Sequence, residues 1–286
     1  MIKFGPSGNC KRFYDEGHKS TTEAPKWCAE MGLNVYEYSF GRGINVSDAK
    51  ANEIGAEGQK HGVEISVHAP YYINFANPSD EMAEKSYDYV LRSALKAKQF
   101  FGNRVVFHPS TVGKMTRADA VELTKKRLEI LAKKIEECNL ADVWFCPETM
   151  GKINQIGDVA EVVEFCKIAD FYLPTIDFGH INARTYGSLK TEEDFERLVL
   201  QVIDGLGMER ASKMHVHFSK IEYSNGGEVR HLTFADNVFG PEFLPLAKVL
   251  VKYDLHPTIV CESDGTQADD ALEMKRIYEN VLQGKC

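Results

Sequence analysis

Short β-rich segments alternate with helical stretches along the whole chain, and this alternation restricts the possible folds more than any other feature. Helix start signals lie between the segments: Ser20, Thr116 and Thr191 each precede an acidic residue by three positions. Strands that alternate with helices are joined by crossover connections, so the strands are predicted to be parallel. The eight predicted strands are Ile2–Phe4, Val35–Phe40, Glu64–His68, Arg104–His108, Val143–Glu148, Leu173–Asp177, Lys213–Phe218 and Thr258–Glu262.

Eight strand–helix units in a chain of 286 residues favour closure into a barrel. An open, doubly wound sheet is the alternative, but no GxGxxG or phosphate-loop sequence follows the first strand. Polar residues also end nearly every strand, whereas an open sheet gathers them at one switch point. We therefore predict an α/β fold, a (β/α)8 TIM barrel that spans residues 1–286 as a single domain.

The composition predicts a soluble protein with a large core. Apolar residues make up 43% of the chain, and no run approaches the roughly 18 apolar residues that span a bilayer. The start has no signal-peptide pattern, so a cytoplasmic, monomeric protein without a membrane partner is expected. The seven cysteines include no CxxC pair, which argues against a thiolate zinc site. The net charge of -8 gives no general attraction to DNA, so DNA binding would need bound cations or local basic groups.

Side chains that bind metal ions gather at the carboxyl ends of the predicted strands. Active sites of barrel enzymes lie there, because the loops leave side chains pointing into a shared bowl. One such residue alone is usually a helix cap, but here six consecutive strands each present a His, Asp or Glu. Imidazole and carboxylate together suit zinc, manganese or iron. The residues are His68, His108, Glu148, Asp177, His180, His215, His217 and Glu262, with His231 in a long predicted loop after the seventh strand.

Not every histidine belongs to this set. His18, His61 and His256 lie away from the strand ends and are predicted to be surface residues. His215 and His217 stand two positions apart in one strand and face the same side. Spacing alone therefore does not choose between these two.

Several motifs resemble the endonuclease IV family of apurinic/apyrimidinic endonucleases, within the xylose-isomerase-like barrel superfamily. They run in the family's order from residue 64 to residue 262, and His68-Ala-Pro-Tyr-Tyr-Ile-Asn is the most specific. The others are Val-Phe-His108-Pro, Pro-Glu148-Thr-Met-Gly, Asp177-Phe-Gly-His180, His215-Val-His-Phe-Ser-Lys220, Val-Arg230-His231 and Cys-Glu262-Ser.

The resemblance implies that two or three zinc ions hydrolyse the DNA backbone 5′ to abasic sites. It prefers His215 over His217, because the family's His-Leu-Asn-Asp-x-Lys motif places its histidine at 215 and its lysine at Lys220. The implied ligands are His68, His108 and Glu148 for the first ion, the bridging Glu148 with Asp177, His215 and Glu262 for the second, and His180 with His231 for the third.

The resemblance also implies roles in catalysis and substrate binding. Glu262 would orient or deprotonate the attacking water, and Glu148 would hold two ions together. Tyr72 would help to hold distorted DNA, although it equally suits a packing role in the third loop. Lys220 and Arg230 would contact the substrate.

Two features depart from the family's pattern. Val229 stands where the family has an aspartate ligand to the third ion, which leaves Glu228 as a candidate substitute. If Glu228 does not reach that ion, Val229→Asp is expected to raise metal content and activity. The family's early Gly-x-His-x-Ser is also absent, because the first strand leads into Phe4-Gly-Pro-Ser-Gly.

A divalent-metal-dependent sugar isomerase or epimerase on the same barrel is the main alternative. Such an enzyme needs only the ligands at the last four strand ends and acts on a small sugar. The further histidines exceed that need and favour the endonuclease, whereas Val229 and the acidic surface favour a small substrate. A non-enzymatic metal-binding or sugar-binding barrel would leave many of these ligands unexplained.

Overall fold

Eight parallel strands form the wall of a barrel in the computed structural model, which describes residues 1–285. Each strand is a run of three to five residues, and most of its positions are buried. The strands are β1 (Lys3–Pro6), β2 (Val35–Ser39), β3 (Glu64–His68), β4 (Arg104–Phe107), β5 (Trp144–Pro147), β6 (Thr175–Asp177), β7 (His215–Phe218) and β8 (Thr258–Cys261).

Hydrogen bonding follows sequence order around the wall. Strands β2 to β5 pair in parallel with their neighbours, and so do β6, β7, β8 and β1. Single parallel bridges, Ser7 to Glu37 and Glu148 to Thr175, join the two halves. A Cβ on Gly5 would lie 1.7 Å from the Val35 carbonyl oxygen, so only glycine lets β1 approach β2 so closely. The predicted (β/α)8 barrel is confirmed.

Helices cover the outside of the wall. The start signals at Ser20 and Thr191 form capping boxes, and Thr116 accepts a hydrogen bond from the backbone N–H of Asp119. The helices are α1 (Lys11–Asp15), α2 (Ala24–Glu30), α3 (Asp48–His61), α4 (Asp80–Gln99), α5 (Arg117–Glu137), α6 (Val159–Cys166), α7 (Phe178–Arg184), α8 (Glu192–Leu206), α9 (Met208–Ser212), α10 (Phe243–Lys252) and α11 (Gln267–Leu282), with a 3-10 turn at Thr21–Glu23.

The hydrophobic core lies between the wall and these helices. In α8, Phe195, Leu198, Val199 and Val202 recur at helical spacing and are all buried. Phe195 packs on Phe178 of α7, with ring centroids 5.4 Å apart. Burying such a side chain stabilises the fold by about 1.5–3 kcal/mol. This packing holds the helices, and with them the strand ends, in place.

The segment after β7 is a hairpin rather than the predicted long loop. Lys220–Ser224 pairs antiparallel with Gly227–Leu232. The Asn225-Gly226 step between two β-prone runs is a strong hairpin signal. The hairpin brings Glu228 and His231 to the cavity at the carboxyl ends of the strands.

Among residues 1–285, no helix combines the length and apolar character needed to cross a membrane.

Candidate metal centre

The carboxyl ends of the strands open into a cavity of about 420 Å³. Side chains that follow the strands reach it because parallel strands all end at the same rim of the barrel. Its lining includes His68, Tyr71, His108, His180, His231 and Glu262.

Glu148, directly after β5, lies at the centre of the site. Its side chain is fully buried, and four imidazoles surround its carboxylate. Oε2 lies 3.1 Å from His68 Nε2 and 3.2 Å from His108 Nε2. Oε1 lies 3.0 Å from His217 Nδ1 and 3.4 Å from His180 Nδ1. A carboxylate with different imidazoles on each oxygen has the arrangement of a ligand shared by two ions.

We call Glu148, Asp177, His217 and Glu262 the inner group, because one ligand atom from each lies within 4.8 Å of the others. Asp177 Oδ1 accepts a hydrogen bond of 2.8 Å from the backbone N–H of His180 and so caps α7. Asp177 Oδ2 is buried and lies 3.2 Å from His180 Nδ1, but it has no well-directed hydrogen bond in the described part of the chain. A buried polar atom without such a bond costs about 1–3 kcal/mol, and a cation beside it would offset that cost.

His217, rather than His215, belongs to the inner group, whereas His215 forms a separate buried group with Glu37 and His217. Both side chains point into the barrel, but two residues advance about 6.6 Å along a strand. His215 therefore lies one layer deeper, with Nε2 3.1 Å from Glu37 Oε2. The family's motif points to His215 instead, because this chain has two residues between His217 and Lys220, whereas the motif has four between its histidine and its lysine.

Glu37, in the middle of β2, is a buried acid that the sequence analysis did not single out. Its Oε1 lies 2.9 Å from His217 Nε2, and its Oε2 accepts a hydrogen bond of 2.8 Å from the Ser66 hydroxyl. Burial raises the pKa of Glu37, but His217 and His215 outweigh burial and hold it well below its usual range. The available signal was one acid inside an otherwise apolar barrel strand, since glutamate is rarely buried unless paired.

We call His180, Glu228 and His231 the outer group, whose ligand atoms also lie within 4.8 Å of one another. His180 Nε2 lies 3.5 Å from Glu228 Oε2, and the two imidazole rings are 5.5 Å apart. His180 Nδ1 lies 2.9 Å from the Thr149 carbonyl oxygen, and His231 Nδ1 lies 2.8 Å from Ser219 Oγ. These contacts leave both Nε2 atoms to face the group.

A bulge in the hairpin brings Glu228 to the place of the missing aspartate. Residues three apart in a regular strand face opposite sides. Here Glu222 pairs with Arg230 and Tyr223 pairs with Glu228, so Val229 is the extra residue, and Glu228 and His231 reach the same side. A Cβ atom at Gly151 would lie 2.6 Å from Glu228 Oε2. The lack of a side chain at Gly151 therefore leaves room for the Glu228 carboxylate.

Tyr71, rather than Tyr72, lines the cavity, and a role of Tyr72 in holding DNA stays a prediction. The Tyr71 ring lies 5.9 Å from that of His108 and 6.2 Å from that of His68. Tyr72 is half exposed and packs on Tyr89 of α4 at 6.2 Å. Its geometry matches the packing role in the third loop.

Lys220 is buried and holds the hairpin in place, so its expected contact with substrate is corrected. Its Nζ donates to the Asp236 carbonyl oxygen at 2.7 Å and lies 2.6 Å from Glu242 Oε1. Arg230 is exposed and pairs across the hairpin with Glu222 at 2.7 Å. It lines a wider cleft beside the cavity.

The buried acids and imidazoles strongly affect one another. Burial raises the pKa of Glu148, but His217 and the hydrogen bonds from other imidazoles hold it well below its usual range. Burial lowers the pKa of His217, but Glu262, Glu37 and Glu148 hold it well above its ordinary value. The pKa of His68, lowered by burial and raised by Glu148, lies at about 8. The acids therefore favour positive charge in this site, which divalent ions can supply by replacing imidazole protons.

Comparison with known proteins identifies the fold family. A family model described as xylose isomerase-like TIM barrel matches residues 25–278. The chain belongs to the xylose isomerase-like TIM barrel family. A similar protein, an uncharacterized protein of Methanocaldococcus jannaschii, is 32% identical over 246 residues, which cover 86% of this chain and 88% of that protein.

Other proteins similar to this xylose isomerase-like barrel bear the names of different enzymes. A probable endonuclease 4 of Acholeplasma laidlawii is 24% identical over 185 residues, which span 62% of this chain and 61% of that protein. The structure of a D-tagatose 3-epimerase-like protein aligns with a TM-score of 0.73 at 18% identity, over 99% of both chains. Endonuclease IV from Thermus thermophilus aligns with a TM-score of 0.68 at 17% identity, also over 99% of both chains. The structural likenesses show the fold.

The donor atoms of this family member suit divalent ions. Nitrogen and carboxylate oxygen together are the ligands of zinc, manganese and iron. Burial raises the pKa of the Cys146 and Cys261 thiols to about 12, and no cysteine of residues 1–285 belongs to a candidate ligand group. Asp177 Oδ2, buried without a well-directed hydrogen bond in residues 1–285, adds an oxygen that a cation fits.

Proposed function

We propose that this protein is a divalent-metal-dependent phosphodiesterase that hydrolyses DNA on the 5′ side of abasic sites. One observation carries the proposal: the outer group adjoins the inner group through His180. This histidine has Nδ1 3.4 Å from Glu148 and Nε2 3.5 Å from Glu228. Together with His68 and His108, the two groups offer positions for three ions. The resemblance to endonuclease IV implies such an arrangement, and a sugar epimerase does not need it.

We propose zinc for these positions, with manganese and iron as alternatives. Bound ions would supply Lewis acidity, which activates water and stabilises the charge that develops on phosphoryl oxygens. Metal analysis of protein purified without chelator should find at least two ions per chain. The proposed ligands are His68, His108 and Glu148 for the first ion, Glu148, Asp177, His217 and Glu262 for the second, and His180, Glu228 and His231 for the third.

Glu262 is the carboxylate best placed to act on water. Its side chain is 17% exposed at the cavity, whereas that of Glu148 is 0% exposed. Glu262 would orient the attacking water and accept its proton, while Glu148 holds the ligand groups together. The Tyr71 ring forms part of the cavity wall and offers an apolar face to the sugar.

Local cations would offset the net charge of -8 when DNA binds. Lys152 lines the cavity, and Arg230 lines the neighbouring cleft. Neutralising several phosphates makes binding depend steeply on salt. DNA affinity should therefore fall when the ions are removed or the salt concentration is raised.

The test uses a labelled duplex that contains one abasic site, incubated with protein that has been loaded with zinc. We expect a single break on the 5′ side of the site, loss of cleavage with chelator and recovery with added zinc. The undamaged duplex should stay intact. His256→Ala is a matched control, because His256 is exposed, its ring pairs with Asp254, and it lies outside both groups. No cleavage by fully loaded protein would exclude this function.

A sugar epimerase remains a second candidate because the inner group alone forms a complete four-ligand set. The cavity of about 420 Å³ also has room for a monosaccharide. The discriminating assay incubates the manganese-loaded protein with ketohexoses in deuterated water. Deuterium at the carbon beside the carbonyl, together with an intact abasic duplex, would favour this function over the first.

A further inference from the structure

Glu37 and two histidines of β7 form a buried polar layer beneath the metal centre. All three side chains are 0% exposed. Glu37 Oε2 lies 3.1 Å from His215 Nε2, and Oε1 lies 2.9 Å from His217 Nε2. Glu37 Oε1 and His217 Nε2 are close, but neither atom has a well-directed hydrogen bond within residues 1–285.

Packing alone does not account for an acid at this position. An ionised carboxylate in a barrel interior is costly, and an apolar side chain would fill the same space without that cost. The Ser66 hydroxyl donates to Oε2 and holds one side of the carboxylate. The other oxygen is left facing His217, which joins this layer to the inner group.

The two ring nitrogens of His217 face different partners. Nε2 faces Glu37, whereas Nδ1 lies 3.0 Å from Glu148 and 3.4 Å from Glu262. A neutral imidazole carries one proton, and only the other nitrogen can bind an ion. When an ion is held in the inner group, Glu37 is the carboxylate left to hold that proton.

We infer that Glu37 is a positioning residue that holds the proton of His217 on Nε2 and so leaves Nδ1 free to bind a divalent ion. The inference rests on the proposed metal centre but not on the proposed DNA substrate. Outer partners of this kind fix both the tautomer and the ring orientation of a metal-binding histidine. Removing the charge of Glu37 should therefore weaken the inner site while the ligands themselves stay in place.

The test is a cobalt(II) titration of the full-length protein, followed by visible absorption, which reports the ligand geometry around the ion. Glu37→Gln keeps the size of the side chain but removes its charge. We expect about ten- to a hundred-fold weaker binding and a changed spectrum. Glu64→Gln is the matched control: Glu64 lies at the opposite end of the barrel, on the neighbouring strand, and pairs with Lys3 and Arg104. This control should bind cobalt as the parent protein does.

Glu37→Asp guards against a variant that fails to fold, because it keeps the charge and draws it back from His217. Its affinity should lie between those of the parent and Glu37→Gln. Unchanged cobalt affinity and spectrum in both variants, whatever their melting temperatures, would overturn the inference and leave a structural role only. No cobalt uptake by the parent protein would overturn both this inference and the metal centre. Normal cobalt uptake without DNA cleavage would overturn the proposed DNA substrate but not this inference.

Discussion

The inner and outer groups lie side by side, yet they are built on different supports. Each inner residue ends a barrel strand, directly follows one or lies within one. The outer group takes His180 from the first turn of α7, and Glu228 and His231 from the hairpin. Glu148, Asp177 and His217 have side chains that are 0% exposed, whereas Glu228 is 15% exposed.

This difference predicts different rigidity. Most barrel strands pair on both sides, and strand alternation then fixes which residue reaches the cavity. The two strands of the hairpin pair with each other, and an isolated bridge between Gly227 and Lys152 ties the hairpin to the segment after β5. One bulge at Val229 decides whether Glu228 and His231 face the same side. We therefore expect the inner group to bind ions tightly and the outer group to bind an ion more weakly.

The largest effect is expected from Glu148→Gln, because Glu148 contacts four imidazoles and links both groups. This substitution should lower activity by about ten-thousand-fold, as happens when one residue is removed from a set of catalytic residues that act as a unit. It should also remove stabilisation by bound ions, about 2.7 kcal/mol at an ion concentration one hundred times Kd. Metal analysis and melting curves with added zinc measure both effects. Equal losses in His256→Ala would contradict the central role of Glu148.

The next effect separates two histidines of one strand. His217→Asn should weaken ion binding at least about a hundred-fold, since loss of a direct ligand exceeds loss of an outer partner. His215→Asn should lower ion affinity less than about ten-fold, because His215 lies outside the inner group and contacts it through Glu37 and the ring of His217. Isothermal titration of both variants with zinc shows which substitution weakens binding more. A larger loss of affinity in His215→Asn than in His217→Asn would favour the assignment that the family's motif implies.

A smaller effect should distinguish the outer group from the inner group. Glu228→Gln should weaken only the outer ion, by about ten- to a hundred-fold, and leave the inner ions bound. The number of tightly bound zinc ions should then fall by one, while the apo protein unfolds at the same temperature. Glu222→Gln is the matched control on the same hairpin, because Glu222 pairs with Arg230 and is outside both groups. Loss of all the ions in Glu228→Gln would show that the two groups bind cooperatively.

The inner group shows how far the sequence could predict the site. Strand-end positions identified Glu148, Asp177 and Glu262 because a barrel strand ends at a predictable place and all strands end at one rim. Spacing could not choose His217 over His215, since both face the barrel interior and depth along the strand decides. The eight strands and the capped helices were predictable for the same reason: each follows from a local pattern.

The outer group shows where such prediction ends. The sequence could present Glu228 only as a candidate ligand of the third ion. The bulge that turns Glu228 toward His231 depends on the hairpin register and not on residue type. Glu37 was missed because its partners lie on β3 and β7, far away in sequence. Tyr71 and Tyr72 are adjacent and chemically alike, so only the fold of the third loop shows which one lines the cavity.

The smallest effect is expected from Val229→Asp, which restores the acid of the family's pattern. Val229 is the unpaired residue of the bulge and is 50% exposed, while Glu228 already lies 3.5 Å from His180. A second carboxylate at position 229 therefore adds little, and we expect zinc content and abasic-site cleavage to change less than about two-fold, within the range of an exposed substitution. The double variant Glu228→Gln, Val229→Asp separates the two positions, because only there can the new aspartate replace the lost ligand. Zinc titration with a cleavage assay compares the single and double variants. A large gain in the single variant would mean that Glu228 does not hold the outer ion, and full recovery in the double variant would mean that the bulge can shift to exchange one acid for the other.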